Sequence, residues 1–257
     1  MVKINLYYLF IGLFLLYLLY LFYKDNFTKN YVEHINNGSN ICICMWYDDS
    51  IKIYSDMAKE INLKYCNDNK YDFIYDNTRR LSNRKPHWER IPLIQKILDE
   101  NNYDYVVWID SDAFFRLDNS ILLEDIITKY NKDIIFSADV LSAFQKKRGI
   151  KEHSSFINSG IFILKNTMNV KKILKFWSGE ECFNKRIDQF QDQGCIRYSH
   201  KINIYDLKNI SVILPVGILQ SFNPNNKKYN DSLIIHLAGR NEIDRVNIIK
   251  EFKNKYQ

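Results

Sequence analysis

The sequence lacks three features that would point to particular protein classes: a cysteine motif, a strong charge of one sign and an internal repeat. Its five cysteines show neither metal-binding nor redox spacing, because Cys66, Cys182 and Cys195 are isolated along the chain. Cys42 and Cys44 alternate within an apolar run and are predicted to share one face of a buried strand. The odd count leaves at least one free thiol or a bridge to another chain.

The net charge is modest and evenly distributed. It is +6, from 36 basic and 30 acidic residues, and the basic residues form no stripe along the chain. Such a balance suits binding of an anionic small molecule or closeness to a lipid headgroup, and it argues against a nucleic-acid partner.

The first part of the chain is its most apolar part. Residues 4–23 form a nearly continuous apolar stretch without a charge, and at about 1.5 Å per residue a helix of this length crosses a hydrocarbon core of roughly 30 Å. A cleaved signal peptide would have a shorter apolar region followed by small residues, whereas this stretch runs through aromatic residues to Lys24. We therefore expect a retained single-pass membrane anchor over residues 1–24, of open orientation, and a polar stalk over residues 25–40.

The remainder, residues 41–257, has the pattern of one globular α/β domain. Hydrophobic residues make up 46% of the chain and aromatic residues 15%, which is enough for one sizeable core. Strands are predicted at 41–47, 71–75 and 106–109, and helices between them at 51–66 and 91–98. This alternation predicts parallel βαβ units and a mostly parallel central sheet. Further helices are predicted at 120–130, 170–177, 188–198 and from 242, and further strands at 134–137, 156–165, near 212 and at 233–236.

Two carboxylates follow the most apolar of these strands. Residues 106–109 predict a strand buried on both faces, and Asp110 and Asp112 come directly after it, two residues apart, so they can point the same way. Carboxylates this close repel unless a cation lies between them, and their hard oxygens favour Mg²⁺ or Mn²⁺ over zinc. The alternative is a surface turn in which Asp and Ser bond their own backbone. An EF-hand is excluded, since Phe114 and Phe115 occupy positions that need a ligand and a glycine.

This aspartate pair belongs to a set of short motifs that occur in a definite order along the chain. Four of them are His87-Trp88-Glu89-Arg90-Ile91, Trp108-Ile109-Asp110-Ser111-Asp112-Ala113, Asn158-Ser159-Gly160-Ile161-Phe162 and His236-Leu237-Ala238-Gly239, and two weaker ones are Gln191-Asp192-Gln193 and Gln220-Ser221-Phe222-Asn223. With these motifs, residues 41–239 resemble the glycosyltransferases with a single Rossmann-like nucleotide-sugar domain, the GT-A fold. Among them the chain is most similar to the galactosyl-, mannosyl- and xylosyltransferase family typified by fungal Golgi enzymes and plant xyloglucan xylosyltransferases.

The resemblance implies a role for each matching residue. It implies that Asp110, Asp112 and His236 bind Mn²⁺ or Mg²⁺, and that Asp192 and Gln193 lie at the transferred sugar as the catalytic residues. For His236 the alternative is a buried histidine bonded to backbone, and for Asp192 it is an exposed helix charge. Besides the two metal-binding aspartates, the residues implied to bind the donor are Arg90, Ser111, Asn158, Gly160, Gly239 and Arg240.

The chain departs from the family pattern at two of these positions. Arg90 stands where the family usually has lysine, which keeps the charge but changes its geometry. After Gly239 the family continues to a cysteine and then a lysine at the phosphates, whereas here Arg240 and Asn241 follow. We expect Arg240 to serve from a shifted position.

The apolar first segment and the resemblance together predict a membrane-anchored, metal-dependent glycosyltransferase. It would transfer a hexose or pentose from a UDP- or GDP-linked sugar to a hydroxyl group of a glycan, protein or lipid, with retention of configuration. In a eukaryotic or viral host the membrane would be of Golgi, ER or viral-factory type. A metal-dependent nuclease or phosphotransferase is a second hypothesis, with Asp139 and Asp192 as extra carboxylates. The third is an inactive, membrane-tethered carbohydrate-binding protein that kept the fold.

Overall fold

The computed structural model describes residues 15, 17, 32–35, 39–139, 156–185, 191–222 and 231–256. The chain divides into two units, Met1–Tyr31 and Val32–Gln257. Apart from residues 15 and 17, the predicted membrane anchor lies outside the described residues, as do Asn223 and the start of the helix predicted at 188–198. Among the described residues, no helix has the length and apolar character needed to cross a membrane.

Strands and helices alternate along the second unit. The strands are β1 (Val32–Ile35), β2 (Ile41–Trp46), β3 (Asp72–Asp76), β4 (Tyr105–Ile109), β5 (Ala113–Phe115), β6 (Ile134–Ala138), β7 (Ile157–Lys165), β8 (Ser211–Leu214), β9 (Gln220–Ser221) and β10 (Ile234–His236). The helices are α1 (Lys52–Asn69), α2 (Arg90–Glu100), α3 (Leu123–Tyr130), α4 (Met168–Ser178), α5 (Glu180–Phe183), α6 (Gln191–Ile202), α7 (Leu207–Ile210) and α8 (Glu242–Tyr256).

Within the described residues, the central sheet has seven strands in the order β1-β3-β2-β4-β7-β6-β8. Strands β2, β3, β4, β6 and β8 run in one direction, and β1 and β7 run against them. The prediction of an α/β domain with a mostly parallel sheet is therefore confirmed. Because β7 is antiparallel to β4, with Ile109 opposite Ile161, the start of β7 lies beside the end of β4. The backbone N–H of Asp110 accordingly donates to the carbonyl of Gly160 at 2.8 Å.

A second sheet, with three strands in the described part of the chain, carries the last motif. Its order is β5-β10-β9, and β10 runs antiparallel to β5 with His236 opposite Ala113. Neither β5 nor β9 was predicted from sequence, since each has only two or three residues. The pairing of β5 with β10 brings His236 next to Asp112, although the two are far apart in sequence.

The sheet begins earlier in the chain than expected. Strand β1 pairs antiparallel with β3, with Val32 opposite Asp76, and the backbone N–H of Ser39 donates to Asp72 at 3.2 Å. Part of the segment predicted as a stalk, residues 25–40, therefore belongs to the sheet. Strand β1 has only four residues, and a run this short gives little strand signal in the sequence. Its backbone groups are satisfied by pairing with the edge of β3.

The core lies on both faces of the central sheet. Cys42 and Cys44 of β2 face the layer formed by α2, α4 and α6, whereas Ile43 and Met45 face the layer of α1 and α3. The shared face predicted for the two cysteines is thus confirmed. A third apolar cluster joins α1, α8 and the small sheet, with Phe114 packed on Phe252. Each fully buried large apolar side chain contributes about 1.5–3 kcal/mol to folding.

Two cysteines that are isolated in sequence meet in the fold. Cys182 of α5 and Cys195 of α6 form a disulfide, with 5.4 Å between their Cα atoms, a separation typical of such bonds. The sequence analysis did not predict this pair, because its spacing matches no cysteine motif. Cys42, Cys44 and Cys66 are free and buried.

Candidate functional site

A cavity of about 810 Å³ lies where the predicted site residues meet. It is bordered by the ends of β2, β4 and β10, the start of β7 and the first turns of α6 and α8. Such a position, at the carboxyl ends of parallel strands, is where α/β sheets bind ligands. The volume is within the range of small-molecule pockets.

Asp110, Asp112 and His236 form a candidate metal site. One ligand atom from each lies within 4.8 Å of the others. Nε2 of His236 is 3.3 Å from Oδ1 of Asp112 and 3.8 Å from Oδ2 of Asp110. Two carboxylate oxygens and an imidazole nitrogen suit Mn²⁺, and the set also admits Mg²⁺.

The ring of His236 is held by a second residue. Its Nδ1 lies 2.8 Å from Oε1 of Gln220, which is an acceptor, so Nδ1 carries a hydrogen and Nε2 faces the carboxylates, where the neutral ring can offer its lone pair to a metal. The alternative of a histidine bonded only to backbone does not apply. The sequence analysis quoted Gln220 only as part of a weak motif and gave it no role.

Gly160 allows this close approach. A Cβ atom there would lie 2.2 Å from Cε1 of His236 and 2.9 Å from both Oδ2 of Asp110 and Oδ1 of Asn158. A side chain at position 160 would therefore displace the ligand atoms. The close neighbours of this glycine are thus two ligand residues of the candidate metal site, His236 and Asp110.

The charges of the triad depend on one another. Burial tends to raise the pKa of Asp112, but His236 and Arg245 outweigh it and hold that pKa below its ordinary value. Burial likewise tends to lower the pKa of His236, and Asp112 and Asp110 more than compensate, so the pKa is raised. The site therefore stabilises positive charge beside the ionised carboxylate of Asp112.

Arg90 links this triad to Asp192. Its Nη1 lies 3.1 Å from Oδ1 of Asp110 and its Nε lies 3.3 Å from Oδ2 of Asp192. Asp192 is only 2% exposed, which excludes the exposed helix charge considered above. Burial raises the pKa of Asp192 to about 6, with a further contribution from Asp110, while Arg90 lowers it.

The polar residues expected at the sugar line the same cavity. Oε1 of Gln193 accepts from the backbone N–H of Ser159 at 2.8 Å, and Oδ1 of Asn158 accepts from that of Gly160 at 2.9 Å. Ser111 and Gly239 also border the cavity. Gly239 has a φ of +75°, which favours glycine at this turn.

Comparison with protein families matches residues 39–247 to the galactosyl transferase GMA12/MNN10 family. This chain belongs to that family. It is a glycosyltransferase, and the resemblance inferred from its motifs is confirmed. No curated protein sequence matches the chain.

Among solved glycosyltransferases similar to this family member, the first one below shares its fold. One, described as involved in glycosylation of the major capsid of PBCV-1, is 17% identical with a TM-score of 0.63, and the match covers 82% of this chain and 98% of that one. The galactosyltransferase LgtC, solved with donor and acceptor sugar analogs, is 13% identical with a TM-score of 0.48, covering 83% and 95%. GlyE of Streptococcus pneumoniae is 11% identical with a TM-score of 0.47, covering 85% and 64%.

Two arginines follow the His-Leu-Ala-Gly motif of this glycosyltransferase, and the second of them borders the cavity. Arg240 donates to the carbonyl of Phe222 at 3.3 Å and is not among the described residues that border the cavity. Arg245 of α8 borders it, and its Nη2 lies 2.8 Å from Oδ2 of Asp112. Its guanidinium also lies over the ring of Tyr54, 4.8 Å from the centroid. The sequence analysis missed Arg245; its place in the first turns of the helix after the His-Leu-Ala-Gly motif was the available signal.

Neither carboxylate proposed for a nuclease joins the metal triad. Oδ2 of Asp139 is paired with Arg197 at 2.7 Å, and Asp192 faces Arg90. Within the described ranges, the group of side chains that could share one ion consists of Asp110, Asp112 and His236. The glycosyltransferase family and this arrangement together set the nuclease hypothesis aside.

Proposed function

We propose that this glycosyltransferase is metal-dependent and transfers a hexose or pentose from a UDP- or GDP-linked sugar to a hydroxyl group. The observation that supports the metal is the convergence of Asp110, Asp112 and His236 within 4.8 Å at the cavity. The donor set fits Mn²⁺, since Gln220 leaves Nε2 of His236 available and Gly160 leaves room beside it. When bound, the ion would neutralise charge on the departing nucleoside diphosphate.

Among the described residues, Arg245 is the cation best placed for the same diphosphate. It lies at Asp112, where the metal and the diphosphate would meet, and an arginine fork can bind phosphate oxygens with two hydrogen bonds. At Gly239 the described structure places no atom outside the neighbouring residues within 4 Å of the missing Cβ, which leaves the backbone of this turn open to approach. We propose that Arg245, instead of Arg240, replaces the lysine that the family pattern has after this glycine.

Asp192 is proposed to act on the transferred sugar. Its buried carboxylate, held by Arg90, favours positive charge that develops at the anomeric carbon, and Gln193 and Asn158 would bind the sugar hydroxyls. In a retaining reaction the acceptor attacks from the face of the leaving group, so that no protein nucleophile is required. Retention follows the family resemblance and would be read from the anomeric configuration of the product by NMR.

The acceptor and the membrane are part of the proposal. A hydroxyl of a glycan, protein or lipid is the expected acceptor, and residues 1–24 would tether the enzyme to a Golgi, ER or viral-factory membrane.

A panel of nucleotide sugars tests the reaction: nucleotide release is measured with Mn²⁺, with Mg²⁺ and with a chelator, for the unaltered protein and for Asp112→Ala. We expect release from one or a few donors, abolished by the chelator and by the substitution. Equal release in chelator would refute the metal, and no release from any donor would refute the reaction.

A further inference from the structure

The first turn of α6 has an unusual backbone. Gln191, its first residue, has a φ of +46°, lies at the cavity and is 7% exposed. A residue other than glycine is strained at this φ. Such a conformation persists only where the surrounding structure holds it. Asp192 is the next residue, so whatever holds this turn also determines where its carboxylate lies.

Two of the groups that hold the turn belong to other helices. The indole N–H of Trp177, at the end of α4, donates to the backbone carbonyl of Asp192 at 2.9 Å. One helical turn later, Cys195 is bonded to Cys182 of α5. Trp177, Cys182 and Cys195 are each buried, at 1% exposure or less, so the links are shielded from water.

The turn also faces polar groups of the cavity. Oε1 of Gln193 accepts from the N–H of Ser159 at 2.8 Å. Oδ2 of Asp192 has an ion-pair contact with Nε of Arg90 at 3.3 Å but no hydrogen bond within the described structure. The side chain of Ser159 and the backbone N–H of Asp192 itself also hydrogen-bond the carboxylate. Because one of these bonds comes from the turn, the position of the carboxylate depends on the backbone of the turn, which Trp177 and the disulfide link to α4 and α5.

We propose that Trp177 and the Cys182–Cys195 disulfide are positioning groups for glycosyl transfer, which hold the strained first turn of α6 so that Asp192 faces Arg90 in the cavity. The inference rests on the proposed role of Asp192 at the sugar. None of the three residues touches the cavity, so their loss acts through Asp192. A misplacement of about 1 Å at a reacting group can cost up to a hundredfold in rate.

Two variants of the full chain remove these links. Trp177→Phe keeps an aromatic ring but removes the indole N–H, and the double variant Cys182→Ser/Cys195→Ser removes the disulfide. The matched controls are Ile173→Val, which loses packing on α4 without losing a hydrogen bond, and Cys66→Ser, which alters a buried free cysteine of α1. Asp192→Asn is measured alongside them.

The first readout is hydrogen exchange followed by mass spectrometry on peptides that cover residues 191–202, and it does not depend on activity. We expect faster exchange at the start of α6 in both variants than in the controls. The second readout is turnover at saturating Mn²⁺ and donor, with UDP and GDP affinity measured by calorimetry. Turnover should fall about tenfold or more, with nucleotide affinity within about twofold of the unaltered protein.

The pH dependence of turnover separates positioning from simple loss of folded protein. Arg90, Asp110 and Ser159 are the groups that face Asp192. When Asp192 moves, its burial, which raises its pKa, and its contact with Arg90, which lowers it, both change, so the acid limb of turnover should shift along the pH axis. A smaller folded fraction would instead scale turnover equally at every pH.

Each other outcome overturns a defined part. Exchange at residues 191–202 equal to that of the controls, or turnover within about twofold of them, overturns the positioning role. A loss of turnover that is uniform across pH also overturns it. If Asp192→Asn keeps normal turnover, the proposed function of Asp192 fails, whatever the exchange data show.

Discussion

Oε1 of Gln220 lies 2.8 Å from Nδ1 of His236, and this contact decides which nitrogen of the ring faces Asp110 and Asp112. A histidine that binds a metal commonly donates its other N–H to such a partner, which fixes the ring and its tautomer. Gln220 belongs to β9 and His236 to β10, and these two strands pair in parallel. The short sheet therefore supports the candidate metal site directly.

Gln220→Leu should weaken Mn²⁺ binding by about tenfold to a hundredfold, since the ring of His236 loses the partner that orients it. The change removes the acceptor but keeps an apolar side chain of similar size in a fully buried position. Binding of Mn²⁺ in the presence of UDP or GDP can be followed by electron paramagnetic resonance. Unchanged affinity would show that the ring is held by its packing alone.

Gly160→Ala should abolish metal-dependent nucleotide binding while the fold is kept. The added methyl would lie 2.2 Å from His236 and 2.9 Å from Asp110, so at least one ligand must move. Calorimetry with Mn²⁺ and nucleotide measures the loss, and circular dichroism checks the fold. A folded variant with normal affinity would contradict the position assigned to the triad.

Asp192→Asn should lower turnover about a hundredfold or more, because it removes charge at the developing positive centre, and nucleotide affinity should change little.

The same change, Asp192→Asn, should raise the melting temperature at pH 7. The folded-state pKa is about 6, above the unfolded value of about 3.9, so the ionised carboxylate costs stability above pH 6 and this cost disappears below about pH 4. Melting curves at pH 4 and pH 7 test the sign; an equal gain at both would contradict the raised pKa.

Arg245→Ala should weaken UDP or GDP binding by about tenfold or more, as expected for loss of a charge-assisted contact to phosphate. Arg240→Ala should weaken it less, since Arg240 is bonded to the carbonyl of Phe222. Calorimetry at saturating Mn²⁺ compares the two variants. The reverse order would return the phosphate role to Arg240.

Removal of residues 1–24 should leave a folded enzyme, whereas removal of residues 1–40 should not be tolerated equally well. The longer deletion removes β1 and so exposes the edge of β3, whose backbone groups then lack partners. We expect a lower melting temperature and more aggregation for residues 41–257 than for residues 25–257. Thermal melts and size-exclusion chromatography of the two fragments measure this, and equal stability would show that β1 contributes little.

Much of the framework could be predicted from local patterns. The helix at α2 and the strands at β4 and β7 follow from apolar periodicity, and the ordered motifs identified the glycosyltransferase family. Asp110, Asp112 and His236 could be named for the same reason. Short strands such as β1, β5 and β9 could not be predicted, because two to four residues carry too little pattern to distinguish them from a loop.

The sequence by itself determined the alternation of strands and helices, the motif order and hence the family, since these depend on residue types and near neighbours along the chain. Only the tertiary structure decided which distant groups meet: Arg245 at Asp112, Gln220 at His236, and Cys182 at Cys195. Contacts of this kind depend on how strands pair and helices pack. No spacing in the sequence records them, because a few residues gained or lost in an intervening loop would change the spacing and leave the contact intact.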